Sequence, residues 1–291
     1  MTLKEITEQK LENYNKVPEQ FLTSLQKAEI VFYKELLLLV DELERLDGVI
    51  LLNSANIAKI VEIENKLKPL LLDTTYVNTV KEFINSVDEQ AKLTTAYFKA
   101  VFKDETFTTT EADLVLKNQK RNAADSLLGD GVDASFIDEV KKQINYAVET
   151  KSTYRELLDN LQTVVTGDKE TDSKLFQYSK QVTNDTFAIS DRAYTNSISI
   201  QLKAEWFLYS GNQRAATREF CLSRFGKYFH KNEIEEWAKL EWGGKIEGTN
   251  ESTIFITAGG WGCRHSILPV SKFVVPKDVI QRNIDNGNYL P

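Results

Sequence analysis

The residues best suited to chemistry are two cysteines and two histidines that fall within 45 residues of the 291-residue chain. They are Cys221, His230, Cys263 and His265. Two thiolates and two imidazoles form a complete tetrahedral ligand set for zinc. Zinc knuckles usually carry ligand pairs two to four positions apart, whereas here only Cys263 and His265 are near neighbours. In a strand these two would share one face, so convergence on a metal remains an option. The alternative is that the thiols and imidazoles lie in a small aromatic core without metal.

The same residues offer a cysteine–histidine nucleophilic pair, in which one of the thiols would contact one of the imidazoles. No peptidase signature surrounds Cys221 or Cys263, and the chain contains no G-x-S-x-G, P-loop or H-E-x-x-H motif. A nucleophile without such a context is a weak hypothesis. We therefore assign no catalytic residue.

A basic and aromatic stretch from Trp206 to Lys231 is the candidate nucleic-acid surface. It contains five Lys and Arg residues, one acidic residue and seven aromatic residues. This composition suits phosphate contacts combined with base stacking. The candidate binding residues are Arg214, Arg218, Arg224 and Lys227. The alternative, which we favour, is that the aromatic residues form a core and the arginines form its solvated rim, since no recognised nucleic-acid-binding module is present.

Glycine, tryptophan and charge divide the chain at about residue 205. The first 205 residues contain four glycines and no tryptophan, whereas the last 86 contain nine glycines and all four tryptophans. The net charge is −9 in the first part and +2 in the second, which gives −7 overall. This acidic balance argues against a protein that coats nucleic acid or an anionic membrane. Charged residues interrupt the apolar runs, so we expect no membrane span, and two cysteines fit a reducing compartment.

The N-terminal part of the sequence predicts long amphipathic helices. From Leu22 to Leu46 the residues spaced three and four apart are apolar except for Glu29, and Asp47-Gly48 predicts the end of that helix. A second apolar stripe covers 80–101. We expect these helices to pack on each other as an antiparallel bundle or hairpin, the alternative being a rod or oligomerisation stalk.

Helix caps predict several further helices. Thr108, Asp133 and Asn232 are candidate N-caps because short polar side chains there precede apolar helical patterns. A long polar helix is expected from about Ser173 toward Tyr209.

In the C-terminal part the apolar residues no longer follow a helical period, and the sequence there predicts strands. The stretches STIFITAGG and SILPVSKFVVP are rich in β-branched and aromatic residues, and we expect them to form a hairpin in which Pro269 lies on an edge or a bend. The predicted fold is therefore mainly α, with a long N-terminal helical bundle or hairpin and a small α+β module. The predicted regions are 1–105, 106–205 and 206–291.

Three short motifs follow one another between Asp191 and Val270. The first is DRAYTN in a helix, the second runs from Trp206 to Cys221, and the third is the glycine-rich GGWGCRHSILPV. In this order they resemble the phage head-morphogenesis family, also called Mu F-like or minor head proteins, over about residues 110–275. The residues that carry the motifs are Arg192, Trp206, Gly211, Arg218, Trp261, Gly262 and Arg264.

The resemblance implies a structural protein of a tailed bacteriophage or prophage, without enzyme activity. Such a protein lies in the virion, at the head interior or portal vertex, and in the host cytoplasm during assembly. Its implied partners are the portal and other head proteins and packaged DNA, with no membrane. The N-terminal helices lie outside the resemblance, and we expect them to serve docking or self-association. The family commonly has a second cysteine where this chain has Arg224, and a histidine before the Cys-Arg pair, where this chain has His265 after it. These departures weaken any zinc site carried over from the resemblance.

The glycine-rich motif is expected to close the hairpin of the small module. Its glycines would permit a tight backbone, and Trp261 would fill the core. Arg264 would lock the turn by pairing with a carboxylate or with backbone carbonyls.

Overall fold

The computed structural model describes residues 1–290, and helices make up 66% of it. As predicted, a mainly helical N-terminal part precedes a small region with antiparallel strands. Among the described residues, no helix has both the length and the apolar character that crossing a membrane requires. The helices are α1 (Leu3–Val40), α2 (Ser54–Asp73), α3 (Tyr76–Val101), α4 (Thr110–Leu128), α5 (Asp130–Val132), α6 (Asp138–Glu149), α7 (Tyr154–Thr166), α8 (Lys174–Gln201), α9 (Glu219–Leu222), α10 (Lys231–Trp237), α11 (Ile254–Thr257) and α12 (Lys277–Asp285). The strands are β1 (Arg45–Leu46), β2 (Val49–Ile50), β3 (Trp206–Gly211), β4 (Tyr228–His230) and β5 (His265–Pro269).

The chain forms two compact units, each assembled from segments that are separate in sequence. Unit 1 comprises residues 1–17, 85–121 and 184–290, and unit 2 comprises residues 18–84 and 122–183. Helices α1, α3, α4 and α8 contribute residues to both units. The unit limits differ from the predicted boundaries at 105 and 205, because the composition shift near 205 marks the change from helices to strands.

Unit 2 has an apolar core to which the predicted stripe on α1 contributes. Leu25, Phe32 and Leu36 are fully buried, and the ring of Phe32 lies 5.3 Å from that of Phe136. Helix α6 packs against α7 and α2, and its apolar face is buried as predicted. Each large side chain buried in this way contributes about 1.5–3 kcal/mol, so the stripe is a main source of stability in this unit.

Helix α1 ends at Val40, well before the predicted stop at Asp47-Gly48. Asp47 and Gly48 instead form the turn of the β1–β2 hairpin, with φ angles of 50° and 81°. The predicted helix end is therefore wrong. The dipeptide misleads because Asp-Gly suits a two-residue hairpin turn, where both central residues need positive φ, as well as a helix end.

The predicted helix caps also lie elsewhere. Helix α4 begins at Thr110, beyond the reach of the predicted Thr108 cap, and Asp133 lies inside a continuous helical segment that is π-helical over Asp133–Ile137. Helix α10 is capped by His230, whose Nδ1 accepts a hydrogen bond from the N–H of Asn232. Histidine is an uncommon cap, which explains why the sequence pattern favoured Asn232.

A three-stranded antiparallel sheet organises the C-terminal part of unit 1, with β3 between β4 and β5. Trp206 of β3 is opposite His230, and Gly211 is opposite His265. Strand β3 occupies the stretch that was predicted as the end of the long polar helix, since α8 ends at Gln201. Pro269 lies at the end of the edge strand β5, as predicted from its missing N–H.

The stretch STIFITAGG, predicted as a strand, forms the short helix α11 and the turn after it. Ile254 is fully buried there and Phe255 nearly so. β-Branched and aromatic residues favour strands because they pack well on a half-buried sheet, and a helical turn buries them equally well here. The predicted hairpin partner is therefore wrong, because β5 pairs with β3.

The two faces of β3 contribute to different apolar clusters. Phe207 and Tyr209 lie in a cluster with α9, α10 and α11, whereas Trp206 and Leu208 lie in a cluster with Tyr289. This alternation follows from the two-residue period of a strand. It places the region around Tyr209 next to both cysteines, which belong to the first cluster.

Candidate functional site

Three of the four predicted metal ligands meet in unit 1. The ligand atoms of Cys221, Cys263 and His265 all lie within 4.8 Å of one another, and all three residues are buried. The two Sγ atoms are 4.0 Å apart, and Cys263 Sγ lies 3.8 Å from His265 Nδ1. We call these three residues the thiol–imidazole cluster.

The fourth predicted ligand, His230, lies outside this cluster. Its ring packs against those of Trp206 and Tyr289, with centroid distances of 5.0 and 5.4 Å. It also caps α10, and burial lowers the pKa of its imidazole. The structure therefore reduces the predicted set of four ligands to three.

Each member of the thiol–imidazole cluster is held by a different element. Cys221 lies in α9, Cys263 in the glycine-rich turn and His265 at the start of β5. Gly211 pairs with His265 across the sheet, and a Cβ atom at Gly211 would lie only 2.7 Å from the imidazole ring. The motif therefore requires glycine here, because any side chain would displace the histidine.

Arg192 fixes the backbone on which two cluster residues lie. Its side chain is 2% exposed, and its Nε donates to the carbonyl of Ile256 at 2.5 Å. One terminal nitrogen donates to the carbonyls of Cys263 and His265 at 2.9 and 3.0 Å. A buried guanidinium needs such acceptors, since an unsatisfied buried charge is costly. Arg192 thus ties α8 to α11, the glycine-rich turn and β5.

Two further arginines of the motifs contact the same turn. Arg218 donates to the carbonyls of Gly259 and Trp261, so it performs the carbonyl-locking role that was predicted for Arg264. Arg264 itself donates to the amide oxygens of Asn15 and Asn184. The turn is therefore held by side chains from α8, from the segment before α9 and from within the turn itself.

The motif tryptophans have different environments. Trp206 is buried, whereas Trp261 is 47% exposed, so the predicted core-filling role of Trp261 is wrong. That role belongs to Trp237, which is buried among aromatic rings, and to Trp242, which stacks on Phe220 at 4.0 Å. Trp261 lies outside the core because Gly260 and Gly262 turn the backbone with φ angles of 89° and 67°.

Gly262 also links the turn to a buried carboxylate. Its N–H donates to Asp185 of α8 at 2.5 Å. Burial raises the pKa of Asp185, although this hydrogen bond and the nearby Arg192 act in the opposite direction.

The electrostatic surroundings distinguish the two thiols. Tyr209 donates its hydroxyl to Cys221 Sγ at 3.2 Å, and its ring stacks on the imidazole of His265. The hydrogen bond between the thiols lowers the pKa of Cys263, with His265 and Arg192 acting in the same direction against burial. The same bond raises the pKa of Cys221. Cys263 is therefore the sulfur with the greater thiolate character.

A small pocket adjoins the thiol–imidazole cluster. Its volume is about 170 Å³, and all three cluster residues contribute to its wall. Arg214, Arg218 and Arg264 line the same pocket. The cluster is thus enclosed by protein except where it borders a cationic space that would accept water or a small anion.

The four candidate nucleic-acid residues occupy different environments. The guanidinium of Arg224 lies over the rings of Phe220 and Trp237, at 3.9 and 4.6 Å from their centroids, and Arg218 is bound to carbonyls of the turn. Arg214 and Lys227 are exposed. Two of the four residues therefore have roles inside the fold, and nucleic-acid binding stays a prediction.

Unit 1 contains a second buried polar cluster, which the sequence patterns did not predict. Lys10 contacts both carboxylate oxygens of Asp191 and donates to Thr94 at 2.6 Å, and Tyr14 donates to Asp191 at 2.5 Å. All four residues are at most 3% exposed. Burial lowers the pKa of Lys10, although Asp191 opposes this shift. We call these four residues the lysine–aspartate cluster.

The sequence contains one signal for this cluster. Ile6, Lys10 and Tyr14 are spaced by four in α1, so they share one face, and all three are buried. A lysine between two buried residues of one helix face predicts a buried ammonium. Its partner could not have been identified, because Asp191 is 181 positions away.

Comparison with models of known protein families finds no match to this chain. Comparisons with curated protein sequences and with solved structures find no match either.

Proposed function

We propose that the protein is a structural minor head protein of a tailed bacteriophage or prophage, which acts in head assembly at the head interior or portal vertex. The observation that carries this proposal is the convergence of the three motifs in unit 1. Arg192 of the first motif and Arg218 of the second both donate to backbone carbonyls around the third. Gly211 of the second motif also makes room for His265 of the third.

The motif residues act mainly on the shape of the backbone. Arg192 and Arg218 together bind five carbonyl oxygens, at residues 256, 259, 261, 263 and 265. Such a use of two arginines supports a rigid module that presents a fixed surface to other proteins. We therefore propose a structural role without enzyme activity.

The proposed partners are the portal and other head proteins, and copies of the chain itself, rather than DNA as the main ligand. The first 205 residues carry a net charge of −9, which disfavours contact with phosphates. Unit 2 also exposes large apolar side chains, as protein-binding surfaces do. They include Ile30, Leu38, Leu46, Ile57 and Val61.

The test is quantitative mass spectrometry of purified particles from the phage or prophage that encodes this chain. We expect a low and fixed copy number relative to the portal protein. Absence of the chain from particles, with the protein present in infected cells, would overturn the proposal.

A matched pair of variants connects the test to the motifs. Arg192→Met removes the guanidinium that binds three carbonyls of the module, and we expect fewer copies in each particle. Arg155→Met changes an arginine whose side chain is 90% exposed in α7, and we expect an unchanged copy number. Equal incorporation of the two variants would show that the motif network has no part in assembly.

A further inference from the structure

We propose that Cys221, Cys263 and His265 bind one zinc ion, with a fourth coordination position that faces the adjoining pocket. This inference is independent of the particle role, because it rests on the geometry of the thiol–imidazole cluster alone. The bound chemistry would be two thiolates and one neutral imidazole, and the fourth ligand would be water or a small anion.

Two of the three distances between the ligand atoms are close to those of a tetrahedral zinc site. Zn–S bonds of about 2.3 Å and Zn–N bonds of about 2.0 Å at tetrahedral angles place two sulfurs about 3.8 Å apart, and sulfur and nitrogen about 3.5 Å apart. The corresponding distances in the protein are 4.0 Å between Cys221 and Cys263 and 3.8 Å between Cys263 and His265 Nδ1. The ligand atoms of Cys221 and His265 lie within 4.8 Å, so this pair must approach by up to about 1.3 Å, and the other two pairs by a few tenths of an ångström, to complete the three bonds.

The fold holds the residues of the thiol–imidazole cluster in place. Arg192 binds the carbonyls of Cys263 and His265, so the backbone of two ligands is fixed from outside the site. Gly211 leaves the space that the imidazole occupies. A metal would therefore bind to a largely formed site, and little binding free energy would be lost in ordering its ligands.

Charge balance among the three ligands and the metal also favours zinc. Two buried thiolates and a neutral imidazole would balance the charge of Zn²⁺, whereas two buried thiolates without a metal would repel each other. Tyr209 donates to the sulfur of Cys221, and such hydrogen bonds from outside the ligand shell orient metal-bound thiolates.

The adjoining pocket determines which ligand would occupy the fourth coordination position of the zinc ion. Structural zinc sites are usually closed by four protein ligands, whereas sites with three protein ligands keep a position for solvent or substrate. His230, the remaining histidine of the chain, is used as a helix cap elsewhere. The pocket of about 170 Å³ borders the three ligands and is lined by Arg214, Arg218 and Arg264, which would favour an anion as the exchangeable ligand.

The test uses Co²⁺ as a spectroscopic probe of the full-length, reduced and metal-free chain. We expect one Co²⁺ per chain, with the sulfur-to-cobalt charge-transfer bands and intense visible bands of a tetrahedral thiolate site, and displacement of the Co²⁺ by Zn²⁺. Added phosphate or azide should change the visible bands. Bands that never respond to these anions would overturn the open position, and absence of the thiolate bands in folded protein would overturn the site.

Variants separate metal binding from folding. Cys221→Ser and His265→Gln each remove a ligand, so they should weaken Co²⁺ binding by more than the roughly 10–100-fold that loss of a ligand's hydrogen-bonding partner costs, whereas His230→Gln should leave it unchanged. Circular dichroism shows which variants remain folded, and wild-type chain alkylated at its thiols provides a ligand-deficient sample without a substitution. Retention of the thiolate bands in folded Cys221→Ser protein would overturn the proposal.

Discussion

Unit 1 buries charged side chains in pairs and networks, whereas unit 2 buries an apolar core that includes one carboxyl group, Glu29. In unit 1, Lys10 is buried against Asp191, and Arg192 is buried against backbone carbonyls. In unit 2, Glu29 is 2% exposed and accepts a hydrogen bond from Ser173. The two units therefore depend on polar groups to different degrees.

The two units are therefore expected to respond differently to the loss of a polar partner. A buried arginine stays charged, and a buried lysine loses its proton only at a cost in free energy, so removal of the partner destabilises either one. A buried carboxyl group can take up a proton near neutral pH and become neutral. We expect unit 1 to be sensitive to single polar substitutions and unit 2 to be sensitive to pH.

The largest expected effect concerns the lysine–aspartate cluster. Asp191→Asn removes the negative charge opposite Lys10, and we expect a loss of about 3–5 kcal/mol in the free energy of unfolding. Urea denaturation measures this loss. Asp159→Asn, at a carboxylate that is 71% exposed, serves as the control and should change stability by less than about 0.5 kcal/mol.

A double variant sharpens this result. Lys10→Met combined with Asp191→Leu removes both charges, so it should be more stable than Asp191→Asn alone. A loss below about 1 kcal/mol for Asp191→Asn would contradict the view that unit 1 depends on paired buried charges.

The second effect concerns Arg192. Substitution by methionine leaves the carbonyls of Ile256, Cys263 and His265 without their buried donor, and we expect a loss of about 3 kcal/mol. Hydrogen exchange should also become faster over 256–265, where the turn loses its restraint. Arg155→Met is the control, and equal protection of 256–265 in both variants would show that Arg192 does not hold the turn.

The smallest effect concerns Glu29 in unit 2. Burial raises the pKa of its carboxyl group from 4.5 to about 7, so the folded protein binds a proton that the unfolded chain releases between these values. The stability that this group contributes is therefore complete below pH 4.5 and is lost as the pH rises to about 7.

Glu29→Gln removes this titration while keeping an acceptor for Ser173. Between pH 5 and pH 7.5 we expect the wild type to lose about 1–2 kcal/mol relative to the variant, measured by urea denaturation at each pH. Parallel pH profiles of the two proteins would show that the carboxyl group does not titrate in this range.

The helices could be predicted from the sequence where one stripe of residues decides their burial. The stripe identified the buried face of α1 from Leu22 to Leu36, and Glu29, the residue that breaks it, is buried with its neighbours. Its last residue, Leu46, lies in β1 and is exposed, so that end of the predicted stripe is wrong. The end of α1 could not be predicted, because Asp47-Gly48 fits a hairpin as well as a helix stop. The strands of unit 1 were harder still, since their pairing joins residues far apart in sequence.

The sequence predicted which residues could form the candidate site, but it did not predict how those residues are arranged in space. Two cysteines and two histidines in a short stretch indicated a cluster, and the spacing of Cys263 and His265 allowed those two to converge, but it did not exclude His230 as a further ligand. The register of β3 makes the distinction, because it places Gly211 opposite His265 and Trp206 opposite His230. Such a choice depends on the whole sheet, as does the pairing of Lys10 with Asp191.

The separation of Lys10 from Asp191 has a consequence for the order in which the chain is made. When synthesis has reached Thr183, every residue of unit 2 exists, but unit 1 consists only of its first two segments. At that point the counter-charge of Lys10 has not been synthesised, because Asp191 lies 181 positions after it. The ribosome therefore completes the apolar unit first and the polar unit last, and the N-terminal turns of α1 belong to the part of the protein that is finished at the end.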